Sequence, residues 1–494
     1  MPTPVTPSSE PARDGHVILG ATVRTLGAWP SGWRYPGAHR DPLNDPAALR
    51  AIAHTAEAAG LQFLYFGDWL ATDAEFELTD PYLLARIEPF AAVNYLAAVT
   101  ERIGLIATAN SAHSEPYTVA RSSASLDILS AGRAGLSVAS SAEIRSAANF
   151  GWATVHSDAD RFRSAGEFVE ILRGLWDSWD DDAFIADAAT GRLIDAAGLH
   201  ILDYVGQVHA ARGPLNVVRP PQGHPPIAVA GTAPNARDLA TREADISFVS
   251  PGTFDEAVES YRSTKNEVAL AGREPEEFVI ISPLLPIVAP TRAGAWEIYD
   301  RLVDLVVVEE SDGAAAVAPL PTNRTIKRLS SVLGVQLAGV PLDLEVPARS
   351  AGRFSSLGKA LLQVVRERSG RTIGGERPVT YRHLLVAHAV PAPVLVGSVT
   401  DVADHIELWF RGRAVDGFTI LSAFVGEQFD TFASLVVPEL TRRGLFPHGY
   451  EGATLRDHLG LPAVPSRSVT TPVPPVTSAP FSSALPTFEG RTRG

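Results

Sequence analysis

Eight short apolar runs, alternating with helical patterns, constrain this chain more than anything else in it. The runs centre near residues 18, 65, 105, 136, 228, 247, 281 and 419. Between them lie stretches with apolar or small residues at helical spacing, among them 46–59, 89–101, 116–129, 254–271 and 292–308. The strongest covers 161–179, where Phe162, Phe168, Val169, Leu172, Leu175 and Trp176 are available to one face. Strand–helix repeats of this kind make parallel sheets, because each helix carries the chain back to the edge from which the next strand starts. Eight repeats predict an α/β chain closed into a (β/α)8 TIM barrel with insertions. The first strand is not followed by Gly-x-Gly-x-x-Gly, so the main dinucleotide fingerprint is missing.

One unit shows where ligands are expected. Arg102–Ala109 reads as a strand that runs into small polar residues, Thr108 to Ser114; a helix follows, and the turn Ser130-Ala131-Gly132-Arg133 opens the next strand. In parallel α/β folds ligands bind at the carboxyl ends of the strands. Two long excursions, 180–224 and 310–380, interrupt the alternation. The first reads as hairpins and loop, the second as irregular chain with short helical pieces, and both are expected as insertions able to roof a site. His383–Ala389 and Thr400–Arg411 read as helices, with Thr400 as N-cap of the latter. Residues 1–15 and the Pro/Ser/Thr-rich 464–494 read as a disordered leader and tail, which leaves 16–463 as one barrel domain.

Composition removes several chemistries. The chain has 494 residues and no cysteine, so disulfides, thiolate zinc sites, cysteine-ligated clusters and cysteine nucleophiles are excluded. The formal net charge of -14 argues against general binding to nucleic acid or to a membrane surface. No run reaches the roughly 20 apolar residues of a membrane helix, and the first 14 residues lack the apolar core of a signal peptide; a cytoplasmic protein is expected. The 13 histidines are scattered without metal-ligand spacing, and no nucleophile elbow or phosphate-binding Gly-Lys loop is present.

The order and spacing of many short motifs resemble the bacterial-luciferase-like flavin monooxygenases. The resemblance is to the branch that holds nitrilotriacetate monooxygenase, pristinamycin IIA synthase and dibenzothiophene-sulfone monooxygenase. It covers roughly 16–462 and rests on Gly32-Trp33-Arg34, Phe66-Gly67-Asp68, Glu88-Pro89, Thr100 to Thr108, Ser125-Leu126-Asp127, Ser130 to Gly135, Asn149-Phe150-Gly151, Leu175 to Trp179, Arg212 to Asn216, Arg219 to Gly223, Asp416-Gly417-Phe418 and Val437 to Phe446. The resemblance implies a two-component monooxygenase. It would take reduced FMN from a separate flavin reductase and use dioxygen to form a flavin C4a-hydroperoxide that oxygenates a small organic substrate. A homodimer or homotetramer is implied as well.

Position by position, the resemblance assigns flavin contacts to Asp68 and Thr108, both retained. Three others depart from the family pattern. Its His-Asp-Glu-Arg-Tyr is here Asp158-Ala159-Asp160-Arg161-Phe162, so the two flavin-touching positions hold Asp158 and Phe162. Asp158 brings a negative charge that needs neutralising, and His156, two residues earlier, is a candidate replacement. The strand-end Gly-Ala-Ser is Gly231-Thr232-Ala233, with the phosphate-facing hydroxyl moved to Thr232. The family's Asn-Val-Val-Thr-Ser is Ser137-Val138-Ala139-Ser140-Ser141, so the Asn is lost while Ser140 and Ser141 keep hydroxyls. His113 stands where relatives often have Tyr, and its position and ordinary pKa make it the candidate for proton transfer. Arg34, Arg121 and Arg133 are candidate anion contacts, Arg133 also a structural turn residue. Two alternatives stay open. One is a diverged barrel that binds flavin weakly or not at all and serves as a binding protein or inactive partner. The other is a deazaflavin-dependent oxidoreductase.

Overall fold

The computed structural model describes residues 13–39, 46–73, 76, 80–306, 322–390 and 393–466. Most of the leader and of the tail lies outside them. In chain order the strands are β1 (Ile18–Thr22), β2 (Phe63–Phe66), β3 (Gly104–Asn110), β4 (Ala134–Ala139), β5 (Phe184–Asp187), β6 (Arg192–Ile194), β7 (Tyr204–Val205), β8 (Ala210–Ala211), β9 (Ile227–Ala230), β10 (Ile246–Phe248), β11 (Val279–Ala289), β12 (Val394–Ser398) and β13 (Gly417–Ile420). Eight of them pair in parallel in the order β10-β9-β4-β3-β2-β1-β13-β11, and β10 pairs with β11 to close the ring. These are the eight strands expected from the sequence, and the closed barrel is the fold class they predicted.

Two layers of apolar side chains hold the barrel. Inside, Phe63, Ile106, Ala228, Ile246, Phe248 and Ile281 fill the lumen, and Tyr65 stacks on Phe248 with ring centroids 4.6 Å apart. The short helix Leu455–His458 plugs the amino-terminal end, with Leu455 wholly buried in that same cluster. Outside, strands and helices pack in buried clusters such as Phe168, Leu172, Leu175 and Trp176 of the Asp158–Trp176 helix against Leu136 and Val138 of β4. The helix starts at Ser157, whose hydroxyl accepts from Asp160 N, as the Ser-x-x-Asp pattern requires.

The excursion at 180–224 carries two small hairpins, β5–β6 and β7–β8, as its composition predicts. The region after β11 differs from expectation. Helices Thr322–Leu333 and Ser356–Ser369 are three turns or more and enclose a core of their own around Leu329, Leu333, Val365 and Leu384. A ninth parallel strand was also missed. β11 has eleven residues; Ile281–Leu284 pair with β13 inside the barrel, while Leu285–Ala289 run beyond it and pair with β12. β12 is only half-buried, so its run Val394-Leu395-Val396 carried no turn-bounded signal. Its end moves the next cap as well: the helix Val399–Arg411 is capped by Ser398 in a box with Asp401, not by Thr400.

Candidate functional site in the barrel mouth

The carboxyl ends of β1 to β4 and β9 form a polar mouth whose neighbours follow from strand register. Phe66 pairs with Ala107, which sets Gly67-Asp68 beside Thr108. Val138 pairs with Val229, so two residues further on Ser140 adjoins Gly231 and the Thr232-Ala233 turn. Asp68 and Thr108 therefore line one sector, and Ser140, Thr232 and Ala233 another.

In the first sector the Asp68 carboxylate accepts its neighbour's amide, Trp69 N, at 2.8 Å, and burial raises its pKa against that bond and the nearby Arg86 charge. Thr108 is 4 % exposed, and its hydroxyl donates to Phe66 O at 2.7 Å. Its proton is thus committed to joining β3 to β2, and only its lone pairs face other partners. Thr25 Oγ1 and Trp69 Nε1 are buried without a hydrogen-bond partner.

The second sector turns on Arg161, which the sequence reading passed over although it retains the Arg of the family motif. Its Nη1 reaches Ser140 O, and its Nη2 pairs with Asp158 Oδ1. The charge of Asp158 is thereby neutralised three residues along the same helix. Phe162 lies half-buried under the guanidinium, whose carbon sits 5.5 Å from the ring centroid. Thr232 and Ala233 are exposed, and Ala233 precedes the ten-residue helix Pro234–Glu243 with no side-chain cap. The open amides at that end suit an anion. His156 is exposed and edge-on to Trp152 at 5.0 Å.

His113 occupies a cavity of about 420 Å³ with Phe150, Trp152, His156, Arg161 and His209. Its ring stacks on Phe150 with centroids 4.4 Å apart and planes 4° from parallel, and Trp152 meets it edge-on at 4.9 Å. Its Nδ1 is buried without a partner. Burial lowers its pKa below 6.5, so the imidazole is neutral at pH 7. Histidine-selective NMR should show a His113 signal, assigned by its loss in His113→Phe, that titrates below pH 6.5. A midpoint at or above 6.5 would mean the stack does not exclude water.

Asn149 Nδ2 donates to Leu70 O at 2.7 Å, and Arg145 pairs with Asp73 at 2.8 Å, joining the helix Ile144–Asn149 to the segment after β2. Of the other candidate arginines, Arg34 donates to Leu305 O, Arg121 is exposed, and Arg133 is buried among backbone carbonyls. Among the described residues no group of three or more His, Asp or Glu could hold a metal, and no helix is long and apolar enough to cross a membrane.

The model of the luciferase-like monooxygenases matches residues 28–414. The chain belongs to this family. It is 36 % identical over 448 residues to N-acetyl-S-(2-succino)cysteine monooxygenase of Bacillus subtilis, covering 90 % of this chain and 96 % of that protein. It is 34 % identical over 468 residues to nitrilotriacetate monooxygenase component A of Aminobacter aminovorans, covering 92 % and 98 %. Among solved structures it is similar to a riboflavin lyase with modified FMN and riboflavin as substrate, at 25 % identity and a TM-score of 0.71, covering 91 % and 97 %. This luciferase-like chain is a monooxygenase by family, and its barrel mouth sets Asp68 and Thr108 in one sector and Ser140, Thr232 and Ala233 in another, with Arg161 joined to Ser140 and Asp158.

Proposed function

We propose that the chain is the oxygenase of a two-component system that takes reduced FMN from a separate flavin reductase and oxygenates a small organic substrate. The observation that supports this best is the two-sector mouth. An uncapped, exposed helix end at Ala233 adjoins Ser140 on one side, and buried unpartnered polar atoms of Thr25 and Trp69 stand on the other. The donor set fits FMN. Gly231-Thr232-Ala233 and the Pro234–Glu243 amides would take the phosphate, Ser140 and Phe162 would flank it, and Asp68 and Thr108 would meet the ring end. When bound, reduced FMN supplies the electrons that activate dioxygen.

The residues of the chain do the rest. Arg161 neutralises Asp158 beside the phosphate position by pairing with it. The Asn149 and Arg145 ties fix the segment after β2 against the helix Ile144–Asn149. Neutral His113 is placed to accept a proton from a substrate in the aromatic cavity at pH 7.

Titration of the purified protein with FMN and with photoreduced FMN tests the reading. Tighter binding of the reduced form is expected. Failure to bind either form would remove it in favour of a barrel without flavin, and binding of a deazaflavin alone would favour that cofactor. Restoring the family residues is a second test. The pair Asp158→His and Phe162→Tyr removes one negative charge and adds two donors beside the phosphate, so FMN affinity should rise about tenfold, the equivalent of one charge-assisted hydrogen bond. Unchanged affinity would place the phosphate elsewhere.

A further inference from the structure

Beside Asp68, two guanidinium groups cover one tyrosine ring. Arg24 and Arg86 lie with their central carbons 5.1 Å and 4.9 Å from the Tyr82 centroid. Arg24 is neutralised by Asp80 through contacts of 3.3 Å and 3.0 Å. Arg86 has no carboxylate within ion-pair distance among the described residues, and its Nη2 is buried without an acceptor. Trp69 Nε1 is in the same state, and the backbone N–H of Trp69 donates to Asp68, whose charge acts on Arg86. Both groups can only donate, and buried donors without acceptors are destabilising unless a ligand completes them. Of the acids nearby, Asp80 holds Arg24 and Glu88 caps the helix Pro89–Ala97 through Phe90 N and Ala91 N, while Asp68 accepts from Trp69 N and acts on Arg86 by charge without an ion-pair contact.

We propose that Arg86, with Trp69, receives a carboxylate group of the substrate, so that this monooxygenase acts on small carboxylated molecules. The inference rests on the flavin placement given above. Arg86 follows β2, whereas the phosphate end of the flavin would lie at β4 and β9, two and three strands away in the barrel. The anion facing Arg86 is therefore the substrate's and not the cofactor's. A planar guanidinium can meet a carboxylate with two parallel bonds, which an ammonium cannot do.

The test uses the full chain and two carboxylate probes, succinate and N-acetylaspartate, followed by saturation-transfer NMR. Their methyl esters serve as neutral controls and inorganic phosphate as a competing anion. Arg86→Gln should weaken the better carboxylate at least tenfold, Arg86→Lys less, with FMN affinity within threefold of wild type and thermal unfolding unchanged in both. The inference is overturned if neither carboxylate binds, if the esters or phosphate bind as tightly, or if Arg86→Gln leaves carboxylate affinity intact. It is also overturned if FMN affinity falls in parallel, since Arg86 would then be a flavin contact. Carboxylate binding through Arg86 in a protein that takes up no flavin would instead reject the flavin reading and leave this one standing.

Discussion

Replacing Arg133 with Ala is expected to lower folding stability by about 4 kcal/mol, the scale for removing one partner from a buried charged network. The side chain is 3 % exposed, and it makes five hydrogen bonds, all to uncharged acceptors. Nε donates to Ser130 O; Nη1 reaches Thr100 Oγ1 and Ile103 O; Nη2 reaches Ala97 O and Thr100 O. One planar group thus closes the carboxyl end of the helix Pro89–Ala97, the start of β3 and the turn into β4. Those carbonyls would have no other donor in a dry site, and each would carry its own desolvation penalty. Against a total stability of about 5–15 kcal/mol, the variant should unfold at a clearly lower urea concentration with little change in slope. Arg133→Lys keeps the charge but cannot span the acceptors, and should fall between. A midpoint for Arg133→Ala within experimental scatter of wild type would show that water or a shifted backbone replaces the fork.

Arg133 also shows what was legible in the sequence and why. The motif residues that carried the family resemblance mostly serve the fold. Glu88 caps a helix with both carboxylate oxygens, and Asp127 accepts from Ala134 N and from Gln222 N and Nε2. Arg219 pairs with Asp177 and Asp181. Such groups sit at element ends, where backbone donors and acceptors must be met locally, so they leave a dense local pattern. The eight barrel strands were legible for a related reason: strands buried on both faces read as unbroken apolar runs.

The mouth was only partly legible. Asp68 and Thr108 could be placed from strand ends, but the surroundings of Arg86, Trp69 and Arg161 are set by how neighbouring segments pack at the end of the barrel. Arg161 was visible as an unchanged letter in an altered motif. Its role needed the geometry, because the neutralisation of Asp158 depends on helical spacing and on Ser140 arriving from another strand. The helix at His383–Ala389 was legible, but Thr322–Leu333 and Ser356–Ser369 read only as short pieces, because their apolar positions face a small core of their own and not the barrel.

That small lobe supplies the second large effect. Asp300, on the helix Arg292–Leu305, holds it to the barrel: Arg371 binds the carboxylate at 3.0 Å and 2.9 Å, Arg377 adds a further contact, and His383 Nε2 lies 3.6 Å away. Gly370, at φ +66°, lets the chain pass against Trp296, where a Cβ would come within 2.5 Å of the ring. Asp300→Asn should cost about 3 kcal/mol at neutral pH, because two mostly buried guanidinium groups lose their counter-charge. The acid dependence fixes the cause. Despite burial, the bonds from His383 and Arg371 and the two arginine charges bring the Asp300 carboxyl from 3.8 to about 2. A lowered carboxylate pKa contributes stability that is fully present above the unfolded value and disappears as pH falls through the folded one, here about 2 kcal/mol between pH 4 and 2. Wild type should therefore lose its advantage over Asp300→Asn across that window, and the gap in thermal midpoint at pH 7 should narrow strongly by pH 2.5. Protease cutting within 322–390 should precede global unfolding in the variant, since β12 ties the lobe to the protruding half of β11 at the rim of the mouth. A gap that is the same at both pH values would mean that Asp300 acts through its shape and packing, not its charge.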